Sequence, residues 1–318
     1  MSRVRRILAV RLGAMGDIIC ALPAVASLKH GIAGSSVTWV IERKWTPLLE
    51  ANPYVDHIIA IDRASAGGLM AAWRQLRSER FDLAVDFQGL LKSALVAASA
   101  RPERIWGFDR TRERMAAWFY SNRVTPRSVH EVDKNLELAE AIEPASLIRQ
   151  FPIPPGRPEG VLPREPFVLA SPLAGWGAKQ WPLESYAILG RMLEREFGLK
   201  LVLNAPRPVG VEHTEAHVSG LPGLIHATRR AVAVVGLDSG PLHLAAALGK
   251  PGVGIYGPSD PARTGPYGGT ITVLRTAGAF TTYRREQEIS EDMRAISAEM
   301  VMDALRPELA ARKLGEPA

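Results

Sequence analysis

Short apolar runs recur along this 318-residue chain, separated by longer amphipathic stretches. Ile7–Val10, Val37–Ile41, Ile58–Ile61 and Leu83–Asp86 have few polar interruptions, so they predict buried strands. Ala24–Lys29, Leu69–Arg77 and Leu91–Ala100 lie between or after them and predict helices. The alternation returns later. Phe167–Ala170, Leu199–Leu203, Val232–Gly236, Gly252–Tyr256 and Ile271–Leu274 predict strands, and Leu183–Phe197 and Leu242–Leu248 predict helices. Ser297 is placed to cap a last helix running to Leu305, with Pro307 ending it. Strands joined by helices imply parallel sheets covered on both faces.

Between the two series lies Phe151-Pro-Ile-Pro-Pro-Gly-Arg-Pro158, followed by Pro163 and Pro166. Such proline density excludes a central strand or a helix interior and marks a linker. The expected organisation is an α/β chain with a Rossmann-like domain over 1–150, a linker over 151–166 and a second Rossmann-like domain over 167–318.

Composition agrees with this picture: 47% hydrophobic and 23% charged residues exclude disorder. The single cysteine, Cys20, excludes an intrachain disulfide and any cysteine-based zinc or iron–sulfur site, and it fits a reducing compartment. The basic start, Met1-Ser-Arg-Val-Arg-Arg6, precedes an apolar run too short for a signal peptide, so a cytosolic protein is expected. The net charge of +6 points to anionic partners without naming them.

In open α/β sheets, ligands bind at the loops leaving the carboxyl ends of strands. Three such loops carry candidate chemistry. Arg11-Leu-Gly-Ala-Met-Gly-Asp17 follows the first strand. Its Gly-x-x-Gly spacing is not the dinucleotide fingerprint. Asp17 can cap the following helix or act as a general base, and Pro23 implies an irregular start to that helix. Ala174-Gly-Trp-Gly-Ala-Lys-Gln-Trp-Pro182 is a glycine-rich turn with a lysine, suited to cradling phosphate but not spaced as a Walker loop. Gly236-Leu-Asp-Ser-Gly-Pro-Leu-His243 opens a helix, and a helix N-terminus attracts anions.

No metal site is expected. His213 and His217 are one helical turn apart without a third ligand, and read as a solvated helix face. The scattered arginines carry no nucleic-acid recognition motif.

Taken together, these segments resemble the bacterial lipopolysaccharide heptosyltransferases. That resemblance implies inverting enzymes of the GT-B architecture, with two Rossmann-like domains whose parallel sheets face a central cleft. Arg11–Asp17 resembles the family's first loop, which implies Asp17 as the base. Asp86-Phe-Gln-Gly-Leu-Leu-Lys-Ser93 resembles a segment of the branch that adds the first heptose. Gly175–Pro182 resembles the loop whose lysine meets the donor phosphates, here Lys179. Asp238-Ser-Gly-Pro-Leu-His243 resembles the motif that holds diphosphate and donor sugar, and Gly257-Pro-Ser-Asp-Pro261 accompanies it. His130-Glu-Val-Asp-Lys-Asn135 is a further shared segment.

The resemblance implies transfer of heptose from ADP-heptose to Kdo of a lipid A precursor, without metal or other cofactor, at the cytoplasmic face of the inner membrane. It assigns Asp17 and Lys179 to catalysis. Gly175, Lys179, Asp238, Ser239, Gly240, His243 and Glu212 go to the donor in the second domain. Gly13, Met15, Gly16, Gln88 and Lys92 go to the acceptor in the first. An anionic donor, a phosphorylated acceptor and an anionic membrane surface then account for the charge without nucleic acid.

The chain departs from the family pattern before Val232. Only Leu221–Arg230 is available for a helix there, so the segment is short by about one helix of roughly 11–12 residues. That region helps to hold adenine in the family. The stretch Asn204–Gly210 is also altered, which leaves Glu212 as the candidate ribose ligand. Two other readings therefore stand beside the enzyme: a non-catalytic nucleotide- or glycan-binding relative, and another GT-B enzyme such as a sugar-nucleotide epimerase.

Overall fold

The computed structural model describes residues 5–282, 284 and 286–313. Met1–Val4 of the basic start lie outside the described residues. The chain divides into two compact units, residues 1–154 and 155–318.

The first unit runs β1 (Arg6–Val10), α1 (Met15–Gly31), β2 (Ser36–Glu42), β3 (His57–Ile61), α2 (Ala66–Ser78), β4 (Leu83–Asp86), α3 (Leu91–Ser99), β5 (Arg104–Phe108), β6 (Asn122–Val124) and α4 (Glu131–Glu140). Its sheet has the order β3-β2-β1-β4-β5-β6, with every pair parallel. The second runs β7 (Phe167–Ala170), α5 (Leu183–Phe197), β8 (Lys200–Ala205), β9 (Thr214–Val218), α6 (Leu221–Arg230), β10 (Ala233–Leu237), α7 (Gly240–Ala247), β11 (Gly252–Tyr256), α8 (Pro261–Thr264), β12 (Ile271–Arg275), α9 (Glu291–Ala295) and α10 (Ala298–Lys313). Its order is β12-β11-β10-β7-β8-β9, again all parallel.

Both sheets therefore have one topology, and each has a switch point where successive connections diverge. In the first it lies between β1 and β4, in the second between β7 and β10. The central strands are buried end to end, as parallel strands covered on both faces must be.

Several expectations change. The helix after β1 starts at Met15, not Ala24, and continues through Pro23. Its face is buried almost throughout, and Asn135 of α4 donates to the Cys20 carbonyl at 3.1 Å. Tertiary packing thus holds α1 past the missing proline N–H. Pro307 does not end α10, which runs on to Lys313. Ser297 does accept from Met300 N at 3.3 Å.

His213 and His217 are not on a helix. His217 is buried in edge strand β9, where its Nδ1 meets Asn204 Nδ2 at 2.9 Å and its Nε2 donates to the Glu159 carbonyl at 2.7 Å. The proline-rich segment is not a free tether either. Asn52 Nδ2 donates to Pro152 O at 3.1 Å within the first unit. In the second, Arg157 N donates to Pro222 O at 3.1 Å, and Arg230 donates to Pro163 O at 2.7 Å.

The shortfall also lies elsewhere. The helix before β10 is present as α6, whereas β8 and β9 are joined by residues 206–213 alone. A parallel crossover ordinarily takes about twelve residues or more and carries a helix. Here the extended chain returns against α5. A Cβ on Gly190 would stand 2.2 Å from the His213 carbonyl oxygen, so only glycine lets the return approach.

Candidate active site

The switch point of the first unit gathers Asp17 and Gln88. Asp17 lies in the first turn of α1, and its Oδ2 accepts the Ala14 N–H at 3.1 Å. Its side chain keeps 43% of its surface exposed, so a substrate hydroxyl can reach it. The Arg11 guanidinium lies behind it, with Nη2 2.8 Å from Asp17 Oδ1 and Nη1 donating to the Phe87 carbonyl. Burying a guanidinium is costly unless it is paired. Arg11 Nε is buried without a hydrogen-bond partner, so the pair with Asp17 carries much of that compensation.

Gln88 joins the same loop, because its Oε1 accepts from Leu12 N at 2.9 Å. Asp86 organises the turn beneath it. Its Oδ1 accepts Gln88 N at 2.8 Å and Gly89 N at 3.3 Å, and its Oδ2 accepts Ser93 Oγ at 2.8 Å and Tyr120 OH at 2.6 Å. Burial pushes the Asp86 carboxyl above the usual carboxylate range despite these donors. Burial and the Asp86 charge push the Tyr120 phenol up.

Trp45 borders Gly13: a Cβ there would meet its indole nitrogen at 2.9 Å. Glu42 nearby pairs with Arg63 at 2.8 Å and Lys44 at 3.6 Å. Burial alone would raise the Glu42 carboxyl, but Arg63, Lys44 and Lys92 outweigh it and hold it low. Lys92 is exposed on α3 and adds positive charge here. Gly16 is half-buried, but Met15 is packed into the base of α1, so its side chain does not line the loop.

At the switch point of the second unit, Lys179 follows β7 and Asp238 follows β10. Lys179 Nζ pairs with Asp238 Oδ2 and stands 4.3 Å from the centre of the Trp176 ring. His243 Nε2 is 4.0 Å from Asp238 Oδ1. Ser239 occupies the N-cap of α7 but does not cap it, since its hydroxyl donates back to Leu237 O at 3.3 Å. The first N–H groups of a helix have no partner within it, and these meet no side-chain cap. A lysine, a histidine and a helix N-terminus thus converge around one carboxylate, which suits a diphosphate with an attached sugar.

Gly175 is exposed, with open space where a Cβ would stand. Gly177 differs: a Cβ would collide with the Gln287 carbonyl, so the turn bearing Lys179 depends on that glycine.

Glu212 is not brought to this cluster. It precedes β9, at the amino edge of the sheet, whereas Lys179 and Asp238 lie at the carboxyl edge. The strand alone separates the two edges by about 15 Å. Among the described residues, no group of three or more His, Cys, Asp or Glu side chains is placed to hold a metal ion.

A family model described as glycosyltransferase family 9 (heptosyltransferase) matches residues 69–293. The chain belongs to this family. Among family 9 relatives, lipopolysaccharide heptosyltransferase 1 of Pseudomonas aeruginosa is 29% identical over 300 residues, covering 83% of this chain and 81% of its own. The structure of E. coli heptosyltransferase WaaC with ADP superposes with a TM-score of 0.78 at 23% identity, covering 95% of this chain and 99% of that one. WaaC with ADP-2-deoxy-2-fluoro heptose gives 0.76 at 23% identity, with coverages of 95% and 99%. The fold of this family 9 chain is accordingly GT-B, as expected from the sequence.

The sequence motifs thus located the loops at both switch points. Arg11, Trp45 and Trp176 had no assigned role. Arg11 stood inside the quoted loop, but its partner carbonyl at Phe87 is remote in sequence.

Proposed function

We propose that this chain moves a heptose from ADP-heptose to Kdo on a lipid A precursor in lipopolysaccharide synthesis, working at the cytoplasmic face of the inner membrane. The observation that carries the donor assignment is the convergence of Lys179, His243 and the uncapped start of α7 on Asp238. Relatives named for lipopolysaccharide heptosyl transfer, and a relative bound to an ADP-heptose analogue, support the same donor.

The chemistry is a single displacement with inversion. The acceptor oxygen forms a bond to the anomeric carbon as the bond from that carbon to the diphosphate oxygen breaks. The hydroxyl proton passes to Asp17, and ADP leaves with the bonding electrons. Lys179 and the α7 N–H groups face the charge that develops on the diphosphate. Asp238 and His243 orient the donor sugar, Gly175 lets backbone approach the phosphates, and Gln88 and Lys92 receive the acidic acceptor. A transfer assay with ADP-heptose and Kdo–lipid A, read by mass, tests this reading.

The bare return between β8 and β9 favours a second reading, in which the donor is held too weakly for turnover. ADP calorimetry separates the two: no detectable binding favours the non-catalytic relative.

A further inference from the structure

An open groove lies in the first unit, away from the Asp17 loop. It runs between α2 and α3 with a volume of 610 Å3. Ile61, Ala72 and Leu76 form its buried floor, and Leu69, Trp73 and Leu95 stand half-exposed at its rim. An α/β fold normally buries such helix faces in its own core.

The surface continues past the groove. α3 packs against both α2 and the turn over Arg114–Phe119, where Ala94 meets Ala116 and Ala117. That turn exposes Met115 and Trp118, the latter to 74%. Of the large hydrophobic side chains exposed among the described residues of the first unit, only Val129 lies outside this band. The two tryptophans most exposed among the described residues, Trp73 and Trp118, both belong to it.

The band is also cationic. Arg74 and Arg77 on α2, Arg110 and Arg112 before the turn, and Arg114 at its start are exposed. The Arg77 guanidinium lies 5.4 Å from the Trp73 ring centre. Two acids, Asp109 and Glu113, lie beside these five arginines and leave the band net positive. Exposed indoles and aliphatic side chains within a net-positive band suit the headgroup boundary of an anionic bilayer. No described helix is long and apolar enough to cross a membrane.

We propose that α2, α3 and the Arg114–Phe119 turn form the surface by which this chain docks on an anionic lipid bilayer. The proposal extends the membrane-face reading above by naming the surface. Vesicle binding is measured without donor or acceptor, so its outcome is separate from that of the transfer assay.

The test is flotation of the full chain with phosphatidylglycerol-containing vesicles and with neutral phosphatidylcholine vesicles. Wild type should float with the anionic vesicles at low salt and be released at high salt. Arg74→Gln should weaken binding by about fivefold, and Arg74→Gln with Arg77→Gln by more. Trp73→Ser with Leu95→Ser should weaken it at least as much, while Val161→Ser in the second unit leaves it unchanged. All five positions are solvent-facing, so unchanged thermal melts should confirm folding. Failure of wild type to float, or variants that float like wild type, would overturn the proposal. So would a wild-type dimer that Trp73→Ser converts to monomer without change in flotation, which would make the band an interface between copies.

Discussion

The Arg11 Nη2 atom lies 2.8 Å from Asp17 Oδ1, while Nη1 of the same guanidinium donates to the Phe87 carbonyl. Asp17, the proposed base, is thereby tied to the loop after β4, which carries Gln88. Arg11→Met removes that tie while the Ala14 N–H still reaches Asp17 Oδ2, so the carboxylate loses one of its anchors. A misplaced catalytic group commonly costs up to about a hundredfold. kcat should fall tenfold to a hundredfold, with ADP affinity in calorimetry unchanged. An unaltered kcat would show that Arg11 only fills space.

Lys179 and Asp238 form a charge pair at the switch point of the second unit, at side-chain exposures of 14% and 9%. Lys179→Ala withdraws the cation and leaves a nearly buried carboxylate facing the donor phosphates. Losing one partner of such a pair costs about 2–5 kcal/mol. ADP affinity should fall at least about tenfold, with Lys179→Arg keeping more of it. Comparable ADP binding by wild type and Lys179→Ala would place the diphosphate elsewhere.

Gly190 tests the unusual return between β8 and β9. A Cβ at this position overlaps the His213 carbonyl, so Gly190→Ala must push the return off α5. The expected loss is about 1–3 kcal/mol, read from urea midpoints. A stability equal to wild type would show that the return is loosely seated.

Asp86 makes a pH prediction. Its carboxyl is raised in the folded chain by burial, so the folded state holds this proton more tightly than the unfolded one. Wild type should therefore lose stability relative to Asp86→Asn as pH rises above the unfolded aspartate value of about 3.9. Urea midpoints from pH 4 to 7 give the difference directly, and a constant difference would contradict the shift. Asp86→Ala, which takes the acceptor from Gln88 N, Gly89 N and Tyr120 OH, should cost about 3 kcal/mol or more at any pH in that range.

The strands at the two switch points were legible because central parallel strands are continuous apolar runs, and helix Leu183–Phe197 was legible from its amphipathic period and matches α5. Strands at or next to a sheet edge, such as Arg104–Phe108, Asn122–Val124 and Thr214–Val218, carry polar residues and are short, so their pattern is weak. The missing helix was countable from length, yet its place was not. Extended return and helix differ in length, and only the pairing of β9 with β8 shows where the residues were lost. Glu212 failed for a related reason: its position along the sheet depends on that pairing. The motifs placed Asp17, Lys179 and Asp238 on loops, but their pairing needed coordinates: Arg11 meets Asp17 from an anchor on the remote Phe87 carbonyl, and Lys179 and Asp238 lie on loops from separate strands.

The central claim is heptosyl transfer from ADP-heptose with Asp17 as base. It is tested most directly by incubating wild type and Asp17→Asn with ADP-heptose and Kdo–lipid A and weighing the lipid product. Wild type should yield acceptor heavier by one heptosyl unit, and Asp17→Asn should yield none while still binding ADP. Absence of product from an ADP-binding wild type, or undiminished product from Asp17→Asn, would contradict the account.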